Sequence, residues 1–160
     1  MIQRVQSIFL LVAAVSAIVL MCIPIGQFTT TEFGYEYTAF VVRDVTPDAG
    51  VRMSTAYIGV ALAISALFSL IAIFLYKNRN SQIKMIYANM VIFLLSIVLM
   101  LFVYPDYFFV KLGLIESSKD ITYNQFWILP LMIIAAGMLY LANRFIKNDE
   151  KKVKATDRLR

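Results

Sequence analysis

The chain has 160 residues, of which 61% are hydrophobic and only 16% are charged, and its net charge is +5. A soluble domain carries about 25% charged residues, so this composition excludes an ordinary water-facing surface and indicates a chain that folds in lipid. With one cysteine, Cys22, and no histidine, the sequence excludes an internal disulfide, a zinc site of Cys and His ligands, and catalysis by a histidine base.

Four long stretches contain no charged residue. A hydrocarbon core of about 30 Å needs roughly 20 helical residues to cross it, and backbone amides in lipid must bond internally. The sequence therefore predicts an all-α integral membrane protein with a four-transmembrane-helix bundle, which forms one domain over residues 1–160. The predicted spans lie near residues 8–25, 56–76, 85–104 and 126–141.

The first span is predicted to be a retained anchor rather than a cleaved signal peptide. The small residues Ala14–Ala17 resemble a cleavage site, but the apolar run continues beyond them to Ile23. The apolar region of a signal peptide usually ends after about 7–15 residues, before its cleavage site. A small-residue motif inside the run favours an anchor.

The loop at 26–55 is the longest segment outside the spans. Its stretch YEYTAFVVRDVTPDAGVRM is rich in β-branched and aromatic residues, and Pro47 and Gly50 suit a turn. We expect a small outer β-hairpin that pairs residues 35–44 with residues 51–53. In the second loop, we expect a short interfacial helix over residues 107–114.

Basic and acidic residues are divided unequally between the two sides of such a bundle. The N-terminus, the connection Lys77–Lys84 and the tail carry eleven basic and three acidic residues, whereas the loops at 26–55 and 105–125 carry four basic and seven acidic residues. Basic residues in short loops stay on the cytoplasmic side. This pattern predicts a multi-pass membrane protein with both termini in the cytoplasm.

The basic tail at residues 142–160 is predicted to continue the fourth span as a solvated cytoplasmic helix. Glu150 and Lys154 form a favourable pair four residues apart, and no aromatic residue is interleaved with the cations from Lys147 onward. Both features favour contact with anionic lipid or a protein partner over nucleic acid. The candidate contact residues are Arg144, Lys147, Lys151, Lys152, Lys154, Arg158 and Arg160.

Small and polar residues within the spans are candidates for helix packing. Ala61, Ser65 and Ser69 recur every four residues on one helix face, and Asn89 lies in the third span. Small residues let helices approach closely, and their hydroxyls bond across the interface. Gly137 is a further position at which a neighbouring helix can approach. A serine nucleophile is the alternative, but no general base accompanies these serines.

The predicted spans contain no ionisable residue of the kind that marks a proton relay or an ion pathway. Seven carboxylates lie in the two outer loops, and their spacing matches no Ca²⁺ loop. We therefore predict no catalytic, cofactor-binding or metal-binding residues. The outer-loop carboxylates are Glu32, Glu36, Asp44, Asp48, Asp106, Glu116 and Asp120.

Three segments make a family resemblance recognisable. They are the start MIQRVQSIFLL, the connection NRNSQIK at 78–84, and the tail, in which the pattern ANR-x-I-x-x-D-E is followed by DRLR. The chain resembles an uncharacterised family of small membrane proteins of Bacteroidota, domain of unknown function 4293. The resemblance covers the whole chain and implies a four-span inner-membrane protein with cytoplasmic termini, but no activity.

Three functions remain open, in descending order of preference. The first is a non-enzymatic scaffold, assembly factor or small subunit that binds another membrane protein or itself. The second is an oligomeric transporter, channel or lipid-handling protein. The third is an enzyme that acts on lipid at the outer face through the loop carboxylates. The lipid bilayer is the one partner common to all three.

Overall fold

The computed structural model describes residues 2–29, 34–45, 51–111, 122–124 and 128–157. Its helices are α1 Ile2–Cys22, α2 Ala56–Phe74, α3 Arg79–Val98, α4 Tyr104–Lys111 and α5 Leu129–Asp157. A 3₁₀ turn, Leu75–Lys77, follows α2, and a π turn, Leu99–Val103, joins α3 to α4. The strands are β1 Gly26–Thr29, β2 Gly34–Tyr37, β3 Val41–Asp44, β4 Val51–Ser54 and β5 Thr122–Asn124.

Four helical stretches are long and apolar enough to cross a membrane, as the charge-free windows predicted. The predicted second span coincides with its stretch, whereas the first ends earlier and the third extends further than expected. The first ends at Cys22 because Pro24 follows, and the backbone before a proline is disfavoured in helical conformation. The four stretches are Val5–Cys22, Ala56–Lys77, Arg79–Phe108 and Leu129–Lys151.

The four long helices form a ring in which each contacts two neighbours. Helix α1 packs against α2 and α5, and α3 packs against the same two helices from the opposite side. Small residues allow this close approach of helix backbones. The buried alanines of the four long helices are Ala13, Ala14, Ala17, Ala66, Ala72, Ala135 and Ala142.

Gly137 does not serve the close helix contact that we expected of it. A Cβ atom placed on Gly137 would have no heavy atom within 4 Å. The close approach occurs instead at Gly59, in the first turn of α2, where a Cβ atom would overlap the ring of Phe40. The backbone amide of Gly59 donates to the carbonyl of Ala39 at 2.9 Å, which joins α2 to the turn before β3.

The region outside the bundle is a five-stranded antiparallel sheet, not the single hairpin that the sequence predicted. Its strand order is β4-β3-β2-β1-β5. The predicted strand 35–44 is two strands, because Thr38 reverses the chain: its hydroxyl and amide both bond to the backbone of Val41. Strand β5 comes from the second loop and pairs with β1, with Phe28 opposite Tyr123. One sheet therefore joins both loops.

The sheet is packed against one end of the bundle, which we call the sheet end. Tyr37 is fully buried, and its ring lies 5.0 Å from that of Phe108 and 6.4 Å from that of Tyr104. The Thr55 hydroxyl donates to the Thr38 carbonyl at 2.9 Å and so fixes the start of α2 beneath the β2–β3 turn. These contacts make the sheet continuous with the core of the bundle.

The third spanning stretch passes through Pro105, where the sequence predicted that the span ends. Proline has no amide hydrogen, and in a regular α-helix its ring would meet the carbonyl of Leu101. The π turn before it widens the helix, and the amide of Tyr104 donates to the carbonyl of Leu99. The predicted interfacial helix is therefore α4, which continues α3 and ends at Lys111. The last residues of that prediction, 112–114, lie outside the described residues.

Helix α5 confirms the predicted helical tail as far as Asp157. Its inner face remains packed beyond residue 141, where the predicted span ends, since Ala142, Asn143 and Ile146 are buried. The Gln6 side chain donates to the Asp149 carboxylate and ties the start of α1 to this part of α5. This end of the bundle, which we call the tail end, is therefore held by both terminal helices.

Candidate functional site

A layer of neutral polar side chains lies between α2 and α3. The Asn89 amide donates to the Ser69 hydroxyl at 2.7 Å, and the Gln82 amide donates to the carbonyl of Ala72 at 2.8 Å. All three side chains are buried. Ser96, one turn beyond Phe93, bonds to the carbonyl of its own helix at Ile92. Such bonds join membrane helices, so this layer holds the bundle together.

The structure brings two of the four packing candidates together and places the others nearby. Ser65 is buried on the same face of α2 as Ser69, whereas Ala61 is only half-buried. The side-chain oxygen of Asn89 is buried, with no hydrogen-bond partner among the described residues. Of the three α2 candidates, Ser69 is thus the one with a hydrogen bond to α3.

Three of the tail candidates lie along one side of α5. Arg144, Lys147 and Lys151 are three and four residues apart, which places them on one helix face. Arg144 and Lys151 are exposed. We call these three residues the basic stripe. Lys152 and Lys154 belong to the same helix, whereas Arg158 and Arg160 lie outside the described residues.

Lys147 connects the basic stripe to α3. Its ammonium group donates to the Tyr87 hydroxyl and also lies 4.6 Å from the centroid of the Tyr87 ring. A cation over an aromatic face is attracted by the negative potential of the ring. These contacts fix α5 against α3 at the tail end and leave the rest of the stripe open.

A groove opens at the sheet end between the start of α2 and the π turn. Its volume is about 830 Å³. One wall comes from β4 and α2, and the other from the π turn and α4. We call it the sheet-end groove. None of the described residues that line it is charged: they are Met53, Ser54, Ala56, Tyr57, Leu99, Val103, Tyr104 and Tyr107.

Comparison with known families identifies the chain. The family described as Domain of unknown function (DUF4293) matches residues 2–159, almost the entire sequence. The chain belongs to the DUF4293 family. This membership agrees with the resemblance carried by the start, the 78–84 connection and the tail. A search of curated proteins returned no match to this DUF4293 chain.

The acidic residues of this DUF4293 protein are dispersed in the part of the chain that the structure describes. That part contains no group of three Cys, Asp or Glu side chains that could hold a metal ion. Glu36 lies directly opposite Arg43 in the β2–β3 register, an arrangement typical of a cross-strand ion pair. Four of the seven loop carboxylates, Glu32, Asp48, Glu116 and Asp120, lie outside the described residues.

Sequence reasoning missed the sheet-end groove because its two walls are distant in the chain. Residues 53–57 and 99–107 come together only after the sheet has packed on the bundle. One local signal was present: Pro105 lies inside an apolar, aromatic run, where a helix must break or widen to accommodate it. In the structure, the helix widens into the π turn before Pro105.

Proposed function

We propose that this DUF4293 protein is a non-enzymatic component of the inner membrane that binds another membrane protein. We place both termini in the cytoplasm and the sheet on the opposite side. The division of charge supports this orientation, because the N-terminus, the 77–84 connection and the tail carry eleven basic residues, whereas the loops at 26–55 and 105–125 carry four.

The sheet is the observation that carries the proposal. It draws strands from both loops and is packed on the bundle through Tyr37 and Thr55. Beyond this buried contact, the sheet presents an exposed surface that includes Val45, which is 62% exposed at the end of β3. A folded platform outside the bundle offers a surface that a partner protein can contact. We infer that the partner binds there.

The polar layer favours binding over transport. A path for a solute needs polar groups that are available to it, whereas the amide N–H groups of Asn89 and Gln82 donate to α2 from α3. Their bonds are neutral and local to one helix pair. The transporter or channel therefore remains second to the partner-binding role, and the outer-face enzyme, which depends on dispersed loop carboxylates, remains third.

The basic stripe supplies the cytoplasmic contact in this proposal. Each basic residue near an anionic membrane surface contributes about 1 kcal/mol of attraction. Arg144 and Lys151 are exposed and lie two turns apart on one face of α5, so they reach either lipid headgroups or an acidic surface of the partner. Attachment of Lys147 to Tyr87 fixes the direction in which the stripe faces.

The proposal is tested by site-specific photo-crosslinking in native membranes, followed by purification of the full chain in detergent. A crosslinker at Val45 should yield one adduct of constant mass, in an amount comparable to the chain itself. A crosslinker at Ile133, which is 70% exposed in the second turn of α5, is the control and should yield much less of this adduct. Recovery of the unmodified chain alone from both positions would contradict partner binding.

A further inference from the structure

We propose that the sheet-end groove is a lipid-binding site that holds one fatty acyl chain of a bilayer phospholipid, with the ester of that chain at the tyrosine hydroxyls. The inference rests on membrane insertion, which is part of the proposed function, but not on the protein partner.

The position of the groove sets its surroundings. Tyr57 is the second residue of one membrane-length stretch, and Tyr107 is the last but one of another. The groove therefore lies at the boundary between headgroups and acyl chains, where tyrosines concentrate in membrane proteins. Its open side is continuous with exposed apolar surface, since Val103 is 48% and the neighbouring Phe102 66% exposed. In a bilayer, the molecule that meets such an opening is lipid.

The residues that line the groove determine which part of a lipid molecule it can bind. Leu99 and Val103 are the first and last residues of the π turn, and they give the groove an apolar wall. The hydroxyls of Tyr57 and Tyr104 are hydrogen-bond donors, which suit the ester carbonyl of a phospholipid. Because the described lining carries no charge, it offers no ion pair to a headgroup. The site should therefore recognise the chain and its ester, without preference for headgroup charge.

The volume of the groove suits one acyl chain with its ester. A volume of about 830 Å³ lies within the range of about 300–1,000 Å³ that encloses small-molecule ligands in proteins. The π turn contributes to this width, and π turns occur frequently at functional sites. The groove thus has the dimensions of a built site, in contrast to the convex apolar faces of α1 and α5 that lipid covers without specificity.

The test uses the full chain in liposomes that contain a trace of phosphatidylcholine or phosphatidylglycerol with a photoactivatable group in one acyl chain. After irradiation and digestion, mass spectrometry measures the label on residues 99–107 relative to the label around Val91 and Ile133, which are 66% and 70% exposed. We expect several-fold enrichment at residues 99–107, equal for the two headgroups.

Two variants separate a bound lipid from the surrounding bilayer. Val103→Trp should fill the groove and remove the enrichment, whereas Val91→Trp, on the exposed surface of α3, should leave it unchanged. Tyr57→Phe and Tyr104→Phe should each weaken occupancy about 2- to 12-fold, the effect of one lost neutral hydrogen bond. If Val103→Trp does not fold, the tyrosine variants still decide the question, because they preserve the shape of the groove.

Uniform label around the bundle, or enrichment that Val103→Trp and both tyrosine variants leave unchanged, would overturn the lipid site. A protein adduct from native membranes at Val103, in place of lipid label, would show that a partner helix fills the groove and would also overturn it. If Val91 and Ile133 were unlabelled as well, the failure would lie in membrane insertion itself.

Discussion

At the contact between α2 and the sheet, one residue decides how closely the two elements approach. Gly59 brings its amide to the carbonyl of Ala39 at 2.9 Å, and the ring of Phe40 covers the space that a side chain would need. A larger residue would move either the ring or the helix, and Thr55 holds the helix from the other side of the same turn. This glycine is required by close approach rather than by backbone conformation.

Gly59→Ala should therefore destabilise the protein by about 1–3 kcal/mol, the usual effect of overpacking a close contact. Chemical unfolding in detergent micelles measures the change in free energy. Gly137→Ala is the matched control, because its added methyl group has no heavy atom within 4 Å. The control should be unchanged or more stable by up to about 1 kcal/mol, since alanine favours a helix interior over glycine. Equal losses in the two variants would contradict the role of Gly59.

A second contact at this scale joins α2 to α3. Because the Asn89 amide donates to the Ser69 hydroxyl, a double-mutant cycle with Ser69→Ala and Asn89→Leu should give a coupling energy of about 0.6 kcal/mol, and at most about 1.7 kcal/mol. A parallel cycle that replaces Ser65, one turn earlier, with alanine should give coupling near zero. Coupling of Asn89 to Ser65 rather than Ser69 would show that the hydrogen bond is wrongly assigned.

At the scale of elements, the π turn determines how the third helix meets the sheet. The core-facing positions Ser96, Met100, Tyr104 and Phe108 recur every four residues, whereas a regular α-helix repeats every 3.6. A wider turn keeps these positions on one side. As a result, Tyr104 and Phe108 both reach the buried ring of Tyr37, and Pro105 is accommodated within the helix.

The extra residue in the π turn determines which single-residue deletion the helix should tolerate. A π turn contains one residue more than an α-helical turn, so deletion of Phe102 combined with Pro105→Ala should leave a regular helix with Phe108 in its place. Deletion of Val91 should instead rotate the rest of the helix by about 100° and move Phe93 out of the core. Yield of monodisperse protein in detergent and its melting temperature report the outcome.

In this comparison, Pro105→Ala alone is the reference for the Phe102 deletion. We expect the Phe102 variant to retain the melting temperature of that reference to within a few degrees, an effect of about 1 kcal/mol or less, and the Val91 variant to aggregate. If the two deletions were equally harmful, the widened turn would not be the reason why the helix passes through Pro105.

At the scale of the whole molecule, the bundle separates two unlike surfaces. The sheet end presents the five-stranded sheet and the uncharged groove, and the tail end presents the basic stripe on a helix clamped by Gln6. Four stretches of membrane length connect them. In the proposed orientation, the basic stripe meets the anionic cytoplasmic leaflet, while the sheet meets its partner on the other side.

Cysteine labelling tests this orientation. In a Cys22→Ala background, Val45→Cys at the sheet end should react with an impermeant maleimide in intact spheroplasts, because Val45 is exposed. Asn80→Cys, at an exposed position in the first turn of α3, should react only after the membrane has been permeabilised. The Cys22→Ala chain itself is the control and should remain unlabelled. The reverse pattern would show that the termini lie outside.

The sequence by itself determined the four spans, the helical tail and the unequal charge of the two ends. Each of these depends on a sum over neighbouring residues: about 20 residues without charge suit a hydrocarbon core wherever the rest of the chain lies. Family membership was likewise visible in the two ends of the chain and in the 78–84 connection.

Only the tertiary structure decided the sheet, the π turn and the groove. Strand β5 pairs with β1 across almost a hundred residues of chain, and strands this short carry little pairing information of their own. The partner of Asn89 was likewise not visible in the sequence. A polar residue in an apolar span indicated helix packing, but its bond to Ser69 rather than Ser65 depends on how α2 and α3 are aligned. Hydropathy is a property of one segment, whereas strand pairing and helix alignment depend on two segments that meet only after folding.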